Sequence, residues 1–148
     1  MTDKAFQIVE AAIREAVGKQ GFMKLVGAKI DRLAPGVAVL SLDRRDEVLQ
    51  QHGFFHGGAV AFLVDNATTI AAGTLVDRTA GAFVLTAEYK LNFIAPGRGK
   101  RIVCEASVLK PGRRMSVVEA KVFSHEEGAA RLCAAALATI AVTDAKTA

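Results

Sequence analysis

A chain of 148 residues, 51 per cent of them hydrophobic, suits a single folded domain with its own core and excludes a disordered or fibrous protein. Nineteen Lys and Arg against fifteen Asp and Glu leave a net charge of +4, which fits a polyanionic small molecule. The basic residues are not interleaved with aromatics as in a single-strand nucleic-acid platform, and no charge-free run of about 20 apolar residues exists to span a membrane.

Phe6, Val9, Ile13 and Val17 repeat at spacings of three and four, which predicts an amphipathic helix over residues 3–18, weakened at its end by Gly18 and Gly21. This segment carries acidic residues and lacks the continuous apolar core of a signal peptide. Strands are expected at 26–32 and 37–43, joined at Ala34-Pro35-Gly36. The polar link DEVLQQHG follows, and then a second helix. Gly57 and Gly58 open it, Gly73 closes it, and Ala59 to Ala72 is apolar on nearly every face, as in a wrapped helix.

Beyond residue 81 the period falls to two. Phe83, Leu85, Ala87, Tyr89, Leu91 and Phe93 alternate with Thr86, Glu88, Lys90 and Asn92, which predicts a long strand over 83–94 with two unlike faces, ended by Ala95-Pro96-Gly97. Three more strands are expected at 100–109, 114–123 and 131–142, separated by the turns KPGR and SHEEG. The order helix, two strands, buried helix, four strands implies an α+β fold in which one sheet of five or six strands wraps the central helix. A long strand left as a free edge invites pairing, and pairing with its own copy gives a closed two-fold dimer. Cys104 and Cys133 sit in apolar runs without metal-ligand spacing and read as buried free thiols of a reduced compartment, with the cytoplasm as the expected location.

Asp65 stands in the middle of the apolar helix, and a carboxylate there needs a partner or a use. The first N–H groups of a helix have no internal partners and carry the positive end of its dipole, so Gly57-Gly58 forms either an oxyanion site or simply a tight turn into the helix. Gly58, Ala61, Phe62, Asp65, Thr69 and Ala72 share one side of that helix. Gly58 and Asp65 are about 10 Å apart along the axis, too far to reach one carbonyl within one subunit, so the spacing argues for a site shared across a two-fold axis.

Asp65 can serve as a base towards water or attack an acyl carbon directly, or it can be a structural carboxylate that caps or pairs. Thr69 either holds the water or the carboxylate, or bonds back to its own helix. Gln50 can orient water or a carbonyl through its amide. His56 reads as an organiser of the loop before the helix, with a base as the alternative. His52 and His125 read as peripheral, and Phe54 and Phe55 either line a pocket or plug the core. No nucleophile elbow, P-loop, dinucleotide fingerprint or metal cluster is present.

From about residue 22 to 143 the chain resembles the hotdog-fold acyl-CoA thioesterases of the phenylacetate-degradation (PaaI-like) type. The resemblance rests on Gln50, His56, Gly57, Gly58 and Asp65, on NFIAPGRG, on GRRMSVVEAKVFSHEEG, and on the closing ARLCAAALATIAV with Thr139. It implies a long helix wrapped by an antiparallel sheet, assembled as homodimers and often as dimers of dimers. It further implies Asp65 as nucleophile or base, the Gly58 amide of the neighbouring subunit as oxyanion donor, Gln50 as a thioester-positioning group, and Thr69 as the match to a helix Thr or Ser that some members use. Gln50 favours an aryl-type arrangement, whereas Asp65 stands where those enzymes often carry Glu.

Coenzyme A, part of the substrate and not a cofactor, would meet Lys110, Arg113 and Arg114, with Arg98 and Lys100 next; a solvated basic turn is the alternative. The expected function is hydrolysis of a medium-chain or aromatic acyl-CoA thioester, without metal, membrane or nucleic acid. A non-catalytic acyl-CoA-binding protein and a thioesterase acting on acyl carrier protein are the competing readings.

Overall fold

The computed structural model of the protein describes residues 2–77 and 81–144. Helix α1, Asp3–Gly18, is capped by the Thr2 hydroxyl, which accepts from the Ala5 N–H at 3.4 Å. It buries Ile13 and Val17 and keeps Glu10–Arg14 and Glu15–Lys19 pairs on its outer side. A short helix α2, Gly21–Val26, takes up Val26, the first residue of the strand expected at 26–32, and that strand starts instead at Lys29. Met23 anchors it in the core, and Gly27 ends it with a φ of 77°. The Arg45 guanidinium donates to the carbonyl of Leu25 and fixes the end of α2 to the body of the protein.

Six strands follow: β1 Lys29–Ala34, β2 Val37–Asp43, β3 Ala82–Phe93, β4 Arg101–Lys110, β5 Met115–Glu126 and β6 Ala129–Asp144. They form one antiparallel sheet in the order β1-β2-β4-β5-β6-β3. A single 3₁₀ turn, Asp46–Val48, leads from β2 towards the central helix α3, Gly57–Gly73. This is the α+β hotdog arrangement, a helix wrapped by a six-stranded sheet.

The wrapping follows from side-chain size. Leu63, Val64, Ala67 and Ala71 of α3 have no exposure, and they face Leu40, Ile102, Val118, Val122, Ala134, Ala138 and Ile140 of the sheet. Alanines on the inner face of β6 leave room for the helix, which explains a strand whose composition would otherwise favour a helix. Truncation of Leu63 to alanine would cost about 2–5 kcal/mol through lost burial and the cavity left behind. Among the described residues no helix is long and apolar enough to cross a membrane.

Strand β3 departs from the simple alternation. Its register against β6 shifts between Thr86 and Glu88, so Ala87 is a bulge. The bulge reverses the parity of the strand. Val84 and Thr86 turn inward before it and Tyr89 and Leu91 after it, while Leu85 is left 54% exposed on the outer face. The expected apolar face of Phe83, Leu85 and Ala87 is therefore corrected: one extra residue exchanges the two faces of the first half of the strand. In the described sheet β3 is an edge strand, paired on one side by β6.

Candidate active site

Asp65 and Thr69 lie one turn apart on the side of α3 that meets β3, and both are half-buried. The Thr86 hydroxyl, turned inward ahead of the bulge, donates to Asp65 Oδ1 at 2.6 Å. The Thr69 hydroxyl lies 2.7 Å from that of Thr86. A hydroxyl has one proton to give, so with Thr86 donating to the carboxylate, Thr69 must donate to Thr86. Thr69 is thus not spent on its own helix; the back-bonded threonine is its neighbour Thr68, which donates to the Val64 carbonyl at 3.0 Å. Thr86 had no signal in the sequence, where it fell on the polar face of β3.

The other half of the site gathers at the N-terminus of α3. His56 is the N-cap, and its Nδ1 accepts from the Gly58 N–H at 2.9 Å. An accepting Nδ1 is the ring nitrogen without a proton, and through it His56 ties the loop to the first turn of α3. The same bond bears on the donor expected at Gly58. The Gly58 N–H is occupied by the cap, whereas the Gly57 N–H has no partner among the described residues.

Gly57 lines a cleft of about 340 Å³ together with Gln50, Phe54, Val60, Phe93, Pro96 and Cys133. The Phe93 ring lies so close that a Cβ on Gly57 would stand 3.4 Å from it. Phe54, half-buried, and Phe55, buried in the core, both line this cleft. Gln50 faces the cleft, with its side-chain oxygen accepting from the His52 N–H across the turn.

The chain therefore gathers these residues in two separate clusters: Asp65, Thr69 and Thr86 in one, Gln50 and Gly57 in the other. Thr139 belongs to neither; it donates to Glu88 at 2.6 Å on the outer face of the sheet. Arg98 lies over the Phe54 ring at 4.5 Å, at the edge of the cleft, and Lys100 is exposed just beyond it. Lys110, Arg113 and Arg114 are exposed on the β4–β5 hairpin, at the opposite end of α3, and His52 and His125 are exposed. Burial pushes the Cys133 thiol up, and likewise that of Cys104. Among the described residues no three His, Cys, Asp or Glu side chains converge as metal ligands would.

The family profile described as the thioesterase superfamily matches residues 52–130, more than half of the chain, including the capped glycine turn, Asp65 and Thr86. The chain belongs to the thioesterase superfamily. A solved thioesterase family protein from Silicibacter pomeroyi is 35% identical, with a TM-score of 0.88 over 92% of this chain and 98% of that one. The 1,4-dihydroxy-2-naphthoyl-CoA hydrolase of Listeria monocytogenes is 27% identical over 122 residues, covering 82% of this chain and 95% of its own length. The PaaI protein of the phenylacetic acid degradation operon of E. coli shares the fold, at 18% identity and a TM-score of 0.80 over 91% of this chain and 93% of its own. The protein is accordingly an enzyme of the hotdog thioesterase class, a hydrolase of thioesters of the acyl-CoA type.

Proposed function

We propose that the protein hydrolyses a medium-chain or aromatic acyl-CoA thioester to the free acid and CoA, with Asp65 as base or nucleophile. One observation carries this reading: a helix carboxylate with no basic partner among the described residues, oriented by the Thr69–Thr86 hydroxyl relay. A carboxylate kept for structure would be expected to meet a cation or a set of backbone donors. The Gly57 N–H, at the positive end of α3 and without a partner among the described residues, supplies the oxyanion donor, and Gln50 orients the thioester beside it. The aromatic lining of the cleft by Phe54 and Phe93 supports an aryl or medium-length acyl group.

Gly57 and Asp65 are about two helical turns apart, so one chain does not bring them to the same carbonyl. Strand β3 suggests how they meet. Thr86 holds Asp65, and Phe93 packs on Gly57. With Ala87 bulged out of the ladder, Thr86 and Phe93 each stand three ladder positions from Lys90. Antiparallel pairing of the β3 edge with its own copy about Lys90 sets Thr86 of one subunit opposite Phe93 of the next, and so Asp65 beside the neighbour's Gly57.

The same pairing carries the β4–β5 hairpin, with Lys110, Arg113 and Arg114, towards the neighbour's cleft, because Met115 and Leu85 both pair with Ala141 at the start of β3. Phosphates of CoA would meet the hairpin there, with Arg98 and Lys100 on the near side.

The test is thiol release from short, medium and long acyl-CoAs, phenylacetyl-CoA and a hydroxybenzoyl-CoA, with wild type and Asp65→Asn. Turnover of one class that collapses in the variant supports the reading. A folded protein that binds CoA esters without turning any over would move the assignment to a binding protein or to acyl carrier protein as the donor.

A further inference from the structure

We infer that Arg44 is a positioning residue that sets the width of the cleft; the inference rests on reading that cleft as the acyl-CoA site. Arg44 directly follows β2, and its backbone N–H donates to the Lys100 carbonyl at 2.8 Å, adding one rung beyond the β2–β4 ladder. Its side chain bridges two loops. Nη1 donates to the Arg98 carbonyl at 3.0 Å, and Nη2 donates to the Gly53 carbonyl.

These two carbonyls belong to the two loops that supply the walls of the cleft. One wall, with Gln50 and Phe54, is a tight loop in which the Gly53 N–H donates to the Gln50 carbonyl at 2.9 Å and Gly53 takes a φ of 77°. The other runs from Ile94 to Gly97, and Arg98 is its next residue. The walls touch further through the Phe55 N–H, which donates to the Gly97 carbonyl at 3.0 Å, and through the Arg98 guanidinium over the Phe54 ring.

No carboxylate pairs with Arg44 among the described residues. Its charge is therefore not balanced by an ion pair, and its planar fork spans two neutral acceptors. A guanidinium presents donors in fixed directions and can hold two carbonyls at once, whereas an ammonium is a point donor on a flexible stem. Asp65, Thr69 and Thr86 lie on α3 and β3, outside this bridge. Loss of Arg44 should therefore loosen the seat of the substrate and leave the carboxylate relay intact.

The experiment compares wild type, Arg44→Ala and Arg44→Lys by steady-state kinetics on the acyl-CoA that wild type turns over fastest, and by amide hydrogen exchange. Arg44→Ala is expected to raise KM roughly tenfold with kcat changed less than about twofold, the loss of two modest hydrogen bonds. Arg44→Lys keeps the charge and is expected to keep most of the defect. Added guanidinium ion should lower KM for Arg44→Ala, while ammonium at the same concentration should not.

Exchange should quicken at the Phe55 amide and across residues 50–56 while α3 stays protected. Wild-type KM and loop exchange in Arg44→Ala would overturn the inference, as would exchange that rises equally through α3 and the sheet. If wild type hydrolyses none of the thioesters, the functional reading fails by itself, and the exchange pattern alone decides whether Arg44 braces the walls.

Discussion

Thr86 Oγ1 reaches Asp65 Oδ1 at 2.6 Å from 21 residues away, and the bulge at Ala87 is what turns it there. A hydrogen bond to a charged acceptor contributes about 1.5–3 kcal/mol, so losing this one should slow the chemical step roughly tenfold or more. Thr86→Val is expected to lower kcat by that factor with little change in KM, and Thr86→Ser to retain most of the rate. Asp65→Asn, which removes the base or nucleophile itself, should cost about a hundredfold or more. Thiol-release kinetics with the melting temperature as a control for folding will check the series; equal rates for wild type and Thr86→Val would remove the relay from the mechanism.

The separation of Asp65 from Gly57 predicts complementation between subunits. Asp65→Asn supplies a chain with an intact glycine turn, and Gly57→Val supplies one with an intact carboxylate but a side chain driven against Phe93. Each alone should be nearly inactive. Random re-pairing after mixed refolding makes half of the dimers hybrid, each with one intact site, so activity should recover to about a quarter of wild type. No recovery, from a mixture shown by mass to contain hybrid dimers, would place the whole site in one chain.

His56 holds the first turn of α3 through Gly58, and loss of an N-cap typically costs ~1 kcal/mol. His56→Ala should lower the melting temperature by about 2–4 °C for a chain of this size. His56→Asn offers a short side-chain acceptor at the same position and should recover most of that loss. Thermal melts followed by circular dichroism decide the point, and an unchanged melt for His56→Ala would show that the cap adds nothing to stability.

Burial raises the thiols of both cysteines, and the sign of the consequence is definite. The folded chain holds its thiol protons where the unfolded chain, with an ordinary value of about 8.5, has begun to release them. The stability this contributes is intact below that value and is lost as pH rises above it towards the folded values. At pH 8 the native protein should therefore react slowly or not at all with a chromogenic disulfide reagent, and both thiols should react at once in denaturant. Rapid native reaction of Cys133 would show that the cleft opens far enough to admit the reagent.

The framework of this protein is legible in its residues because it rests on local periodicity. The spacing in residues 3–18, the all-round apolar helix behind Gly57-Gly58 and the alternating runs after residue 81 are each set by neighbours a few positions apart. Asp65 stood out for the same reason, as a carboxylate in an apolar period. The short helix Gly21–Val26 was hidden, because six residues are too few for a period to show and its end depends on the left-handed conformation of Gly27.

Composition and spacing determined by themselves that a helix starting at a glycine pair would lie inside a sheet with a carboxylate on it. Tertiary structure alone decided which groups serve that carboxylate and which amide is left free. The inward turn of Thr86 depends on the register between β3 and β6, where one extra residue at Ala87 exchanges the two faces. The freedom of the Gly57 amide depends on where the His56 ring settles, and the shape of the cleft on an arginine joining loops 45 residues apart in sequence, at Gly53 and Arg98. Pairing register and cap geometry are properties of two segments in contact, and no pattern within either segment contains them.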